Sequence, residues 1–275
     1  MLLVGDDCSG ISAISFALRK LKIPFERVFS SEIDKHAIKS DEANNPIPIN
    51  QNIYGLPLST DILKRDHSTL PHCDLLVSGF PCQPFSSSGD RRGTKDRLKG
   101  SIFKHLLETI RYSTPKVCIL ENVKGLLTIN RGDTFRRMIK QLEALEYRVY
   151  YSVLNSKDYG IPQRRERVFI VAIHSSIKKE FVFPPKQPLK KTVFDYLSND
   201  NTQLKDELGA FHTKAIEKYK ESIPERCVIN LSTLNINGIS KNFDPNLIGT
   251  LDTQGMMWVY HQHRWLSPRE TLRLQ

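Results

Sequence analysis

Through the first 173 residues, short apolar runs alternate with segments whose apolar residues return every three or four positions. The run "LLVG" (2–5) predicts a buried strand, and Ile11, Ile14, Leu18 and Leu21 predict a helix after it. "RVFSSE" (27–32) and "CDLLVSG" (73–79) predict two more strands. Ile102, Phe103, Leu106, Leu107 and Ile110 share one helical face, and "KVCILEN" (116–122) is a further strand. Phe135, Met138, Ile139, Leu142 and Leu145 predict another helix, and "YRVYYSVLN" (147–155) and "RVFIVAI" (167–173) close the set. Strands alternating with amphipathic helices imply an α/β fold, a doubly wound, mostly parallel sheet covered on both faces. Such sheets bind ligands beyond the carboxyl ends of their strands. That rule selects Asp6 to Gly10, Glu32, Gly79 to Cys82, and Glu121 with Asn122.

The alternation fades after residue 174. Prolines cluster in "FVFPPKQPLKK" (181–191), and the polar segments beyond have weak periodicity. Residues 174–263 therefore read as a small second domain or an elaborate insertion, and 264–275 as the start of a return to the first domain. No internal repeat is visible.

Charge sharpens this picture. The 275 residues carry 40 Lys and Arg against 30 Asp and Glu, a net charge of +10, which points to an anionic partner such as nucleic acid. Residues 90–104 hold six basic residues against two acids, whereas 175–263 hold eleven against ten. The five cysteines are scattered with no CxxC spacing, which disfavours a disulfide framework or a zinc site and suits a reducing, intracellular setting. No apolar run approaches the roughly 20 residues needed to span a bilayer, and "MLLVGDDCSG" is no signal peptide.

One cysteine stands apart. Cys82 lies in "GFPCQPFS" (79–86), at the end of a predicted strand, with Pro81 and Pro84 restricting the backbone around it. The placement suits a held nucleophile, although a lone cysteine is more often a packing residue. Cys73 and Cys118 sit inside apolar strands and read as core. Glu121 ends a strand, where a carboxylate can cap a helix, pair with a cation or act as an active-site acid. "PQRRER" (162–167) is a charge run before a strand, either a solvated face or a set of forks for carbonyl and phosphate oxygens. Glu32 and Asp61 follow β-prone stretches, where acids can take ribose hydroxyls or an adenine amine. The first turn, "DDCSGISA" (6–13), does not match GxGxxG, which disfavours a pyrophosphate cofactor.

In this order the pieces resemble the DNA (cytosine-5)-methyltransferase family of bacterial and phage type, over nearly the whole chain. "GFPCQPFS" is similar to the family's nucleophile loop, "LENVKGL" (120–126) to its Glu-Asn-Val motif, and "SKDYGIPQRRERVFIVAI" (156–173) to its arginine motif. "HRWLSPRETLRLQ" (263–275) resembles the segment after the target-recognition region. The resemblance implies a Rossmann-like S-adenosylmethionine-dependent methyltransferase with a small target-recognition domain, acting on carbon 5 of a flipped cytosine in duplex DNA. It implies Cys82 as the nucleophile, Glu121 as the contact to the exocyclic amine and ring nitrogen 3, Arg167 on the ring carbonyl and Arg165 in support. For S-adenosylmethionine it implies Cys8, Ser9, Gly10 and Ile11 beside the methionine and adenine portions. Glu32 would take the ribose, Ile33 the adenine face, and Asp61 with Ile62 the adenine edge. Gly79, Pro81 and Ile102 would line the methyl end. Gln83, Ser86, Arg91, Arg92 and Arg97 fall in the basic loop expected to close over DNA. The setting would be the cytoplasm of a prokaryote or the nucleus of a eukaryote.

Two departures carry expectations of their own. Cys8, Ser12 and Ala13 stand where the family usually has an aromatic residue and further glycines. The sequence reaches "RLQ" without the family's Gln-x-Gly-Asn motif, so the expectation is a truncation or one subunit of a split enzyme, with a second chain supplying that motif and weak cofactor binding by this chain alone. A catalytically impaired DNA-binding or accessory protein, and a methyltransferase of transfer RNA cytosine, stay open as alternatives.

Overall fold

The structure is a computed structural model. It describes residues 1–45, 60–81, 102–198, 208–231, 244–251 and 257–274, together with the backbone of 234–235 and 238–239. Contacts divide the chain into two compact units, one of Met1–Val153 with Arg167–Phe183, the other of Leu154–Glu166 with Pro184–Gln275.

The first unit is built on a six-stranded sheet. Strands β1 (Leu2–Asp7), β2 (Phe25–Ser31), β3 (Leu75–Ser78), β4 (Val117–Val123), β5 (Tyr147–Asn155) and β6 (Glu166–His174) are ordered β2-β1-β3-β4-β6-β5. β1 runs parallel to β2 and β3, and β3 to β4, whereas β6 is antiparallel to β4. The helices α1 (Ala13–Lys20), α2 (Lys35–Asn44), α3 (Ile102–Ser113) and α4 (Asp133–Glu143) join them. The period of two along the strands sorts apolar residues onto two faces. Leu76, Cys118 and Leu120 face a core filled by Phe103, Leu106, Ile110, Phe135, Met138 and Leu142. Leu75, Val77, Val117 and Ile119 face the opposite way, with Val4, Ile14 and Leu18.

α2 has little apolar patterning, and Asp41 is its buried residue. Its start is set by Asp34, whose carboxylate accepts from the amides of His36 and Ala37 at 2.8 and 2.9 Å. Those backbone bonds also hold the Asp34 carboxyl below its usual range. The helix is tied down by a buried ion pair between Arg27 of β2 and Asp41, 2.6 Å apart.

From β1 the chain steps outward to β2 on one side and to β3 on the other. The order reverses between β1 and β3, and the crevice beyond their carboxyl ends is the ligand position of doubly wound sheets. Asp7 pairs with Ser78, which places Cys8 beside Gly79.

The second unit contains α5 (Ala210–Tyr219), β7 (Val228–Asn230), a short hairpin of β8 (Leu234–Asn235) and β9 (Gly238–Ile239), β10 (Met257–Val259), β11 (Arg264–Trp265) and α6 (Pro268–Arg273). β11, β10 and β7 form an antiparallel sheet. Trp258 is 4% exposed and packs edge-on against Trp265 at 5.2 Å, so it is a core residue of this unit. The Ser267–Glu270 capping box opens α6. Buried Glu270 also meets Arg264 in a two-pronged ion pair at 2.8 and 2.9 Å. Burial pushes the Glu270 carboxyl up, but Arg264 and the donors of Ser198 and Ser267 outweigh it and bring it down to about 2. No helix among the described residues is long and apolar enough to cross a membrane.

Candidate active site

The first turn of the crevice has a constrained backbone. Cys8, Gly10 and Ser12 have positive φ, at 52, 55 and 57°. For non-glycine residues this region costs of order 1–3 kcal/mol and persists only where the surroundings impose it. Here they do. The Cys8 amide donates to Ser31 Oγ at 3.0 Å and the Ser9 amide to the Ser31 carbonyl at 2.9 Å. The Ser12 hydroxyl donates to Asp6 Oδ2 at 2.6 Å and lies 2.8 Å from Ser15 Oγ. Asp6 is buried beneath the turn, and burial raises its carboxyl to about 7 despite the Ser12 bond and the Arg27 charge. Burial likewise pushes the Cys8 thiol up to about 12, so it is neutral and unreactive at physiological pH.

The second wall comes from β2. Glu32 Oε2 accepts from the Gly10 amide at 2.7 Å, and its Oε1 accepts from the amides of Ile33 and Asp34 at 2.8 and 2.9 Å. The carboxylate therefore joins the first and second turns. Ile33 beside it is 74% exposed. A bridge between Ser31 and Thr60 brings Asp61 to the same rim, with its side chain accepting from the Leu63 amide at 3.0 Å. Ile62 turns inward and is buried.

Beyond β3, Gly79 is exposed and Phe80 is buried against Phe103 of α3, ring centroids 5.6 Å apart. A Cβ at Gly79 would meet nothing nearer than the Cys8 carbonyl and Glu121 Oε2, both at 3.8 Å. Glu121 thus faces the crevice with one oxygen, while its Oε1 lies 3.1 Å from Arg167 Nε. The register explains the meeting: Val123 pairs with Arg167, so Arg167 is the diagonal neighbour of Glu121 across the antiparallel pair β4–β6. Asn122 points the other way, is buried, and donates to the Phe80 carbonyl at 2.9 Å, locking the end of β3 to β4. Pro81 and Ile102 flank this end of the crevice as an exposed and a half-buried residue.

Cys8, Ser9, Gly10, Ile11, Glu32, Ile33, Asp61, Gly79, Glu121 and Arg167 are therefore carried by the carboxyl-end rim of the first unit or by the start of β6. Arg165 belongs to the second unit, where its guanidinium donates to the Leu251 carbonyl at 3.4 Å. Cys82, Gln83, Ser86, Arg91, Arg92 and Arg97 lie outside the described residues. Sequence reading missed Ser12 as a strained position, Asn122 as the lock on β3, and Arg65 with Thr109 as partners of Asp7. The paired acids closing β1 were the available signal for the last of these, since an acid inside a strand end needs a buried partner.

A model of the C-5 cytosine-specific DNA methylase family matches residues 4–275. Over 175 residues, 63% of this chain, it is 40% identical to the type II methyltransferase M.BsuFI of Bacillus subtilis, covering 40% of that protein. It is 30% identical over its whole length to the type II methyltransferase M.Bsp6I of a Bacillus species, covering 87% of it. Its fold is similar to that of a putative DNA modification methyltransferase encoded within an E. coli prophage, with a TM-score of 0.68 at 22% identity, covering 100% of this chain and 88% of that one. The chain thus spans less than half the length of M.BsuFI and most of M.Bsp6I. With the family model matching nearly every residue, the chain belongs to the C-5 cytosine-specific DNA methylases.

Proposed function

We propose that this protein methylates carbon 5 of cytosine in duplex DNA, as the modification enzyme of a restriction-modification system does, with S-adenosylmethionine as methyl donor. The observation that carries the reading is the Glu121–Arg167 pair facing the crevice at Gly79, one strand from the switch point. The rim fits an adenosyl sulfonium on two counts. Gly79 leaves a cradle that a Cβ would fill, and exposed Ile33 stands beside a carboxylate already oriented by three amides. Glu32 would hold the ribose hydroxyls, Ile33 the adenine face, Asp61 the adenine edge, and Cys8 to Ile11 the methionine portion. Bound there, the cofactor supplies an electrophilic methyl group.

The chain's own task is to make a poor carbon nucleophile reactive. Cytosine must leave the stack, at a cost of a few kcal/mol. Cys82 adds as a thiolate to carbon 6, which turns carbon 5 into an enamine-like nucleophile. Once carbon 5 carries the methyl group, a base takes its proton, the carbon 6–sulfur bond breaks, the Cys82 thiolate leaves and the double bond between carbons 5 and 6 is restored. Glu121 binds the exocyclic amine and nitrogen 3 and gives charge somewhere to go as the thiolate adds. Arg167 fixes that carboxylate and offers its guanidinium to the ring carbonyl, with Arg165 the second arginine of the same motif. Basic residues after Cys82, with Arg91, Arg92 and Arg97 among them, contact phosphates and make binding salt-dependent.

Transfer of labelled methyl from the cofactor to duplex DNA tests the reading. The wild type labels cytosine, and Glu121→Gln lowers the rate at least a hundredfold while melting at the same temperature. Label entering transfer RNA but not duplex DNA, or Glu121→Gln at wild-type rate, would overturn it.

A further inference from the structure

Asp7 is fully buried at the end of β1, directly before Cys8, and the proposed chemistry does not use it. Arg65 grips it with both prongs, Nη1 to Oδ1 and Nη2 to Oδ2, each at 2.8 Å. The same Nη2 donates to Thr109 Oγ1 of α3 at 2.7 Å, and the Thr109 hydroxyl donates back to Asp7 Oδ2 at 3.0 Å. The Arg65 guanidinium also lies over the Phe29 ring of β2, 5.3 Å from its centroid. Thr109 continues the line to His67 Nδ1 at 3.2 Å, and His67 Nε2 lies 3.0 Å from His105 Nδ1 in the first turn of α3. One side chain therefore binds the end of β1, the face of β2 and the body of α3.

Stability alone does not account for this arrangement. Burying two charges costs more than an apolar pair of the same volume in many proteins, and Arg65 Nε remains buried without an acceptor among the described residues. What a two-pronged pair supplies is orientation. The parts it orients are two walls of the crevice: Cys8 to Ile11, which follow Asp7, and Ile102, which opens α3. We propose that Arg65, acting through Asp7 and Thr109, is a positioning residue that sets the first turn against α3 and thereby sets affinity for the adenosyl cofactor. The inference rests on the cofactor reading given above.

Calorimetric titration of the full chain with S-adenosylhomocysteine, beside thermal melting, tests it. Arg65→Met alone should melt well below wild type, because Asp7 is left buried and unpaired. The double variant Asp7→Leu/Arg65→Met should recover most of that melting temperature yet bind roughly tenfold more weakly. Thr109→Val, which keeps the ion pair and the shape but removes the buried hydroxyl bonded to Arg65, Asp7 and His67, should melt a few degrees below wild type, far above Arg65→Met, and bind a few-fold more weakly. If the double variant folds and binds like wild type, or if it does not fold and Thr109→Val binds like wild type, the cluster is structural only and the inference fails. A wild type that shows no binding removes the cofactor reading itself, and this inference with it.

Discussion

Gly79 separates a residue required by the fold from one required by a ligand. Its backbone lies outside the left-handed region, and an added Cβ would stand 3.8 Å from the Cys8 carbonyl and from Glu121 Oε2, ordinary contact distances. The fold therefore has no use for a glycine there. Gly79→Ala should raise stability by about 0.4–1 kcal/mol through the unfolded chain alone, or roughly 1–4 °C in melting temperature. A cofactor packed into that cradle meets a methyl group it cannot accommodate. Overpacking costs about 1–3 kcal/mol, equivalent to a dissociation constant about 5–150 times weaker. Gly5 is the control. A Cβ there would fall 2.3 and 2.6 Å from atoms of the Phe29 ring, which is 1% exposed and covered by Arg65. Gly5→Ala should cost about 1–3 kcal/mol of stability. Calorimetric titration with S-adenosylhomocysteine, paired with scanning calorimetry, reads both quantities. Wild-type affinity in Gly79→Ala, or a lowered melting temperature, would refute the reasoning.

Three further outcomes are expected. Asp6 has a folded-state carboxyl near 7 against 3.8 unfolded, so the folded protein holds the proton more tightly and stability falls as pH rises from about 4 to 7. Asp6→Asn, which keeps the acceptor for Ser12, should flatten melting temperature against pH over that window; an unchanged slope would count against the buried acid. Glu270 has the opposite sign: lowered from 4.5 to about 2, it contributes about 3 kcal/mol above its unfolded value, lost as pH falls through 2. Glu270→Ala, which strands buried Arg264, should cost about 3–5 kcal/mol in denaturant unfolding, and a cost below 1 kcal/mol would contradict the pairing. Arg167→Lys keeps the charge but not the fork, so methyl transfer should fall at least tenfold at unchanged cofactor affinity; full activity would show that charge alone suffices.

The strands of the first unit are readable in the sequence because each is a short apolar run at the right spacing, and "YRVYYSVLN" matches β5 to the residue. α2 is not readable. Its sequence, "KHAIKSDEAN", has no apolar stripe, and Asp34 at its start and the Arg27–Asp41 pair anchor it instead. The antiparallel sense of β6 is also invisible, since an apolar run carries no direction, yet it is what delivers Arg167 to Glu121. The turn at Cys8–Ser12 looks deficient in glycine by comparison with the family. The structure shows Ser12 in the left-handed region a glycine would occupy, held there by Asp6 and Ser15. Asp6 and Asp7 look alike in sequence, yet they serve two separate buried networks, because neighbouring strand residues face opposite sides of a sheet. The second unit was legible only as a change of pattern. Its strands are two or three residues long, too short to show a period, and the buried Arg264–Glu270 pair and the edge-on tryptophans join residues whose sequence pattern gives no sign of it.

The central claim is covalent catalysis at cytosine by Cys82, with Glu121 and Arg167 holding the base. Duplex DNA carrying 5-fluorocytosine, incubated with this protein and S-adenosylmethionine, measures it directly, because fluorine at carbon 5 blocks the proton loss that frees the enzyme. The wild type should form a denaturation-resistant protein–DNA adduct through Cys82, and Cys82→Ser should form none. An adduct that persists in Cys82→Ser, or methyl transfer by the wild type on normal DNA with no adduct on the fluorinated duplex, would contradict the account.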